Sequence, residues 1–231
     1  MSADPPGCGA IPSDPPHGGA ARLEDLLAHP LLWRAGHAAR QPVWSSGFAR
    51  LDEALPGGGW PRSGLIEVLP VRFGVGELKL LLPALAALTT RSEARWSAWV
   101  APPLSPFTPA LVAAGIDLSR LLIVRAQDKE CLWALEQALG SGACDSGLAW
   151  ARHALPRQIR RLHLAAQRGS ALGVLFRPRA SAREASAAML RLVVEPLERV
   201  VRVTLLKSRG GARGALDLTW GGTYPGAGGC P

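Results

Sequence analysis

From about residue 65 onward, short apolar runs alternate with stretches of helical period, and this alternation limits the chain to few architectures. The runs are LIEVL (65–69), WSAWVA (96–101), LLIVRA (121–126), SGLAW (146–150) and ALGVLF (171–176). Between them, 77–90, 108–115, 129–139 and 155–168 read as helices, and 182–192 as one more. In 129–139, Leu132, Leu135 and Leu139 share one face. In 155–168, Leu155, Ile159, Leu162 and Ala166 form an apolar stripe opposite Arg157, Arg160, Arg161 and Arg168. Strands that are apolar throughout belong in a parallel sheet covered on both faces. The end differs in kind: 199–207 and 215–220 read as strands joined by the Gly-rich turn SRGGARG, an antiparallel hairpin. The expected fold is therefore α/β, a mostly parallel sheet with helices on both faces and a C-terminal hairpin. Hydrophobic residues make up 48% of the 231, enough for a sizeable core.

The flanks set the expected boundaries. The first 20 residues contain nine Pro or Gly and lack the apolar stretch of a signal peptide, so 1–20 are expected to be a disordered leader. Residues 21–44 are expected to be a helical segment broken near Pro30, 45–222 the α/β domain, and 223–231 a flexible tail. Inside the domain, a short helix carrying Phe48, Leu51 and Leu55 runs into the turn Pro56-Gly57-Gly58-Gly59, and Pro83 should kink or shorten the helix at 77–90. No run of 18 apolar residues lacks charge, which argues against a membrane span. The cysteines (Cys8, Cys131, Cys144, Cys230) form no CxxC and the five histidines are scattered. Neither metal site nor disulfide frame is expected, reduced thiols in a cytoplasm fit, and His153 and His163 read as surface residues.

The net charge of +8 is unevenly placed. Residues 1–149 carry 12 basic and 14 acidic groups, whereas 150–213 carry 14 basic groups against Glu184, Glu195 and Glu198. Such asymmetry fits a basic face for nucleic acid or an acidic partner, and equally an arginine-rich composition, since 23 of the 26 basic residues are arginine.

The stretch VLPVRFGVGELKLL (68–81) sits where a phosphate loop would follow a first strand. That loop has the form GxxxxGK[ST]: backbone N–H groups wrap the phosphates, the lysine neutralises charge, and the hydroxyl holds Mg²⁺. With Gly76 on the last glycine of the motif and Gly74 inside the loop, Glu77 stands at the lysine position and Leu78 at the hydroxyl position. Cation is replaced by anion and metal ligand by alkyl group, so neither ATP–Mg²⁺ nor another cofactor is expected.

SGFARLDEALPGGGWPRSGLIEV resembles the segment that precedes the phosphate loop in RecA-type recombinases, through Leu51-Asp52, Gly57-Gly58-Gly59, Pro61 and Gly64. RVTLLKSRGG with ALDLTWGG resembles the final hairpin of that fold. More specifically, LPGGGWP (55–61), LWALEQALGSGAC (132–144), RRLHLAAQRGSALGVLFRP (160–178) and LLKSRGG (205–211) are similar to the ImuA family, RecA-like accessory proteins of damage-induced mutagenesis. This resemblance implies a RecA-like domain with a degenerate phosphate loop. It implies an SOS-regulated cytoplasmic protein, nucleoid-associated when active, that works with the polymerase-like protein ImuB and an error-prone C-family polymerase, with RecA and DNA as further partners. Against the RecA pattern, the strand end Val100-Ala101-Pro102-Pro103 lacks the catalytic glutamate, Trp150 stands near the metal aspartate, and Asp145 is misplaced.

These readings give a non-catalytic adaptor. The alternatives are an unconventional DNA-dependent ATPase and a cell-division inhibitor of the SulA type; chain length and the complete hairpin favour the adaptor. Its expected contact residues are Arg157, Arg160 and Arg161, the hairpin cations Lys207, Arg209 and Arg213, and Trp33 and Trp60, with Trp44, near N-terminal loops. Trp96, Trp99, Trp133, Trp150 and Trp220 fall at apolar positions and are expected in the core.

Overall fold

The computed structural model describes residues 42–198, 200–208 and 213–219. The leader, most of the N-terminal helical segment, Trp33, Arg209, Trp220, Cys8, Cys230 and the C-terminal tail lie outside the described residues.

Two sheets are present among the described residues. Strand β1 (Val43–Trp44) pairs antiparallel with β2 (Trp60–Pro61) across the short helix α1 (Ala49–Ala54). Residues 43–44, assigned above to the helical segment, are thus strand. The turn between α1 and β2 explains its glycines. Gly57 and Gly58 adopt φ +75° and +88°, and a Cβ on Gly59 would lie 2.2 Å from the Trp44 carbonyl oxygen.

The main sheet has eight strands. It contains β3 (Gly64–Pro70), β4 (Trp96–Val100), β5 (Leu121–Val124), β6 (Cys144–Trp150), β7 (Leu172–Phe176), β8 (Leu190–Pro196), β9 (Val201–Ser208) and β10 (Gly214–Leu218). Their order is β10-β9-β8-β3-β7-β6-β4-β5. From β8 to β5 all neighbours are parallel; β8–β9 and β9–β10 are antiparallel, so the sheet is mixed.

Period-2 alternation sorts the core into two layers. Ile66, Val68, Leu148, Trp150, Val174 and Phe176 face α1, α2 (Leu82–Thr90) and α3 (Thr108–Ala113). Leu65, Val100, Ala149 and Leu175 face α4 (Asp128–Gly140) and α5 (Pro156–Arg168). Helix α4 buries Leu132, Leu135 and Leu139; α5 buries Ile159, Leu162 and Ala166. Each fully buried leucine or isoleucine contributes roughly 1.5–3 kcal/mol of transfer free energy.

Four expectations need correction. The helix at 182–192 does not form: a 3-10 turn (Arg179–Arg183) leads into β8. The helix at 77–90 is shortened at Pro83 as expected, but its first residues are a separate 3-10 turn (Glu77–Leu80) and α2 starts only at Leu82, where Pro83 occupies a first-turn position that needs no N–H donor. Strand β5 is the sheet's edge, with Leu122 and Ile123 exposed, not a buried strand. Finally, His163 is buried, and its Nδ1 accepts the Leu65 N–H at 3.2 Å.

Candidate functional site

The Gly-rich loop comes first. After β3, the Val71 N–H reaches the Val194 carbonyl at 3.3 Å and the chain turns through Gly74 and Gly76, at φ +85° and +98°. Glu77 then folds back into the loop. Its Oε1 accepts the Gly74 N–H at 2.8 Å, and the residue is buried. Its Oε2 is also buried and has no hydrogen-bond partner among the described residues. Leu78 is half-buried against the larger core layer. The carboxylate thus holds an amide that a phosphate would need. At about 4 Å and an effective dielectric near 20, it would repel each phosphate charge by about 4 kcal/mol.

Trp150 and Asp145, near the expected metal-aspartate position, serve packing and ion pairing. Trp150 stacks on Phe176 at 4.6 Å between centroids and tilts against Trp99 at 6.3 Å. Asp145 lies inside β6, not before it. It accepts from Arg91 Nη2 at 2.5 Å, and from the amide and Nε of Arg95, each at 2.7 Å. Burial pushes its carboxyl upward, but the Arg91 hydrogen bond and the Arg95 donors outweigh burial and hold it below the usual value.

An ionic network unseen in the sequence lies under β3. Glu67, fully buried, accepts from Arg177 Nη1 at 3.0 Å and from Arg191 Nε at 2.7 Å. Arg177 Nη2 also reaches Glu184 at 2.6 Å, and this hydrogen bond, the largest influence, holds the Glu184 carboxyl below its usual range. Arg177 and Glu184 border a cleft of about 510 Å³ at the carboxyl ends of β6 and β7, where Cys131, Arg152 and His153 also lie. Cys131 and Cys144 are buried and form no disulfide with each other, and the Cys131 Sγ donates to the Trp150 carbonyl at 3.6 Å. Among the described residues no cluster of three His, Cys, Asp or Glu could hold a metal, and no helix is long and apolar enough to cross a membrane.

The expected contact residues are not brought together. Arg157, Arg160 and Arg161 lie exposed along α5, which packs on β3 and β7. Lys207 lies in β9 and donates to the Ser186 carbonyl at 2.9 Å; Arg213 is exposed just before β10. Trp60 is fully buried, so it offers no partner surface: it fills the core beneath the glycine turn. Trp44 is half-buried, with the Arg62 guanidinium 4.4 Å above its ring. Conversely, Trp96 and Trp133, expected in the core, are exposed. The open surface that the sequence reading missed is the β5 edge and the segment leading to it. Leu104, Phe107, Val112, Leu122 and Ile123 are all exposed there, and among the described residues β5 pairs with β4 alone.

The family model "Cell division inhibitor SulA" matches residues 73–173. The SulA of Edwardsiella piscicida is 32% identical over 119 residues, covering 51% of this chain and 70% of that protein. The chain belongs to the SulA family. The SulA of Pseudomonas aeruginosa is 33% identical over 148 residues, 60% of this chain and 89% of its own length. The protein ImuA of Caulobacter vibrioides is likewise a homologue, 33% identical over 150 residues, covering 63% of this chain and 61% of that protein. The crystal structure of SulA from P. aeruginosa aligns with a TM-score of 0.42 and 29% identity, over 49% of this chain and 97% of its own.

The expectation of a RecA-like domain with a degenerate phosphate loop is corrected by these findings. The family is that of SulA, and the loop after β3 is closed by its own glutamate and followed by a 3-10 turn.

Proposed function

We propose that this protein is a non-catalytic accessory factor of the ImuA type in the SOS response, acting in the cytoplasm by binding a polymerase-related protein of the ImuB kind. Through that complex it would serve an error-prone C-family polymerase, with RecA and DNA as further partners. One observation carries the choice. The ImuA-like stretches LPGGGWP and LLKSRGG lie outside residues 73–173, and LPGGGWP with the described part of the second, residues 205–208, falls in elements that complete the described domain on both sides. Glu77, seated on the Gly74 amide, supports a role without nucleotide chemistry. The open apolar edge at β5 supports a role in binding protein, because an unpaired edge with exposed apolar side chains is a ready template for association.

A second reading is inhibition of cell division. Family membership favours it, and so does the position of the 104–123 edge inside the matched segment. The two separate in one experiment. The chain is co-expressed with an ImuB-type protein or with the tubulin-like division protein, and each pair is run through affinity capture and size exclusion. A stable complex with the first alone supports the accessory role. A complex with the second alone, with filamentous cells on overexpression, overturns it. In parallel, millimolar ATP–Mg²⁺ should leave the melting temperature unchanged, since only a ligand that binds the native state raises it. A Mg²⁺-dependent rise would overturn the non-catalytic reading.

A further inference from the structure

Helix α5 turns two different faces to its surroundings. Ile159, Leu162, Ala165 and Ala166 are buried. At 100° per residue, Leu164 sits at the centre of the opposite arc, with Arg157, Arg160, Arg161 and Arg168 around it. Leu164 is 51% exposed. Of the four arginines, Arg161 alone has an ion pair among the described residues, to Glu136 at 2.7 Å. Beside this face, in the groove between α4 and α5, Trp133 shares a wall with Arg161 and Gln158 and is 61% exposed. A tryptophan this open, beside Arg161 of a helix that also exposes Leu164 and three further arginines, has the composition of a binding hot spot.

We propose that the outer face of α5, with Trp133 beside it, is a docking surface for an acidic amphipathic helix of a protein partner. Charge complementarity selects the occupant. The arginines span about 16 Å, or three turns, and call for carboxylates along one flank of the partner. Leu164 and Trp133 call for apolar anchors beside those carboxylates. Nucleic acid fits less well. A phosphate chain has no use for Leu164 and would pass Glu130 and Glu136, which lie one turn to either side of Trp133 on α4. A helix can keep its carboxylates on the α5 side. This inference goes beyond the proposed function and does not depend on which protein supplies the helix.

The test uses the full chain and a fluorescein-labelled peptide of about 20 residues, with leucines at helical spacing and glutamates along one flank. Controls are a scrambled peptide of the same composition, and single-stranded and duplex DNA of matching length. Saturable binding of the patterned peptide, about tenfold tighter than the scrambled one, is expected. Trp133→Ala with Leu164→Ser should weaken it about tenfold, and so should Arg157→Glu with Arg161→Glu. These are exposed positions, so the far-UV spectrum and melting temperature should stay close to those of the parent. Equal binding of the scrambled peptide would reduce the face to bare charge and overturn the proposal. Absence of saturable binding would overturn it as well, as would tighter binding of DNA lost in the same variants.

Discussion

The carboxylate of Asp145 accepts four hydrogen bonds, two from Arg91 and two from Arg95. Arg95 also donates to the carbonyls of Gly142, Gly169 and Ser170. One aspartate therefore ties the residue after α2, the approach to β4 and the start of β6 to the turns at the opposite end of α4 and α5. Because its folded pKa lies below the ordinary 3.8, its contribution to stability is complete above that value and is lost as pH falls through the folded pKa. Asp145→Asn should cost about 2–4 kcal/mol at pH 7, read by urea unfolding. It should also flatten the acid limb, since the variant no longer loses this contribution below pH 3.8. An unchanged acid limb in Asp145→Asn would mean that other carboxylates govern acid unfolding. At the same scale, the exposed Trp133 could have been found from spacing: Leu132, Leu135 and Leu139 define the buried stripe of α4, and Trp133 falls about 100° off it. Glu67 could not, because it stands in an apolar strand whose partners are 110 and 124 residues away.

At the scale of elements, most strands and helices follow from periodicity alone, and the failures share a cause. Residues 182–192, with four Ala, two Arg and two Leu beside Glu184 and Met189, have high local helix propensity. The run LRLVVEP nevertheless supplies the strand that β3 and β9 both need, and tertiary pairing overrides propensity. Strand β5 has the composition of a buried strand, yet it lies at the end of the sheet, with one neighbour among the described residues. Sheet order is a property of the whole chain and leaves no mark on four residues. By contrast, the glycine turn before β2 can be read directly once the ribbon is known. A Cβ at residue 59 meets the Trp44 carbonyl oxygen, a backbone atom with little freedom to move. Gly59→Ala should therefore destabilise by about 1–3 kcal/mol, seen as a lower melting temperature. Because Phe48, just before α1, and Leu51, within it, pack on the core, the change should also redden tryptophan emission as Trp44 and Trp60 become wetter. A melting temperature equal to the parent's would show that the ribbon relaxes freely.

At the scale of the whole molecule, β3 is the seam. On one side lie β7, β6, β4 and β5; on the other, β8 and the antiparallel hairpin. Glu67, in the middle of β3, binds Arg177 just past the end of β7 and Arg191 near the start of β8, and so joins both halves through one carboxylate. Arg191 also donates to the carbonyls of Ser181 and Glu184, which anchors the 3-10 turn that replaces the expected helix. A buried ion network of this kind adds little over a well-packed apolar replacement, but removing one partner strands the others. Glu67→Ala should thus cost about 3–5 kcal/mol, because buried Arg191 loses its counter-charge and buried Arg177 keeps only the half-exposed Glu184. Replacing all three, as Glu67→Leu with Arg177→Met and Arg191→Leu, should recover much of that loss. If the network also couples the halves, the parent should unfold in one transition, with far-UV ellipticity and tryptophan emission changing together. Glu67→Ala should then separate the two signals, since the described tryptophans all lie outside β8–β10, which lose their ionic tie to β3. Coincident transitions in Glu67→Ala, at whatever stability, would mean that apolar packing across β3 alone makes the sheet cooperative.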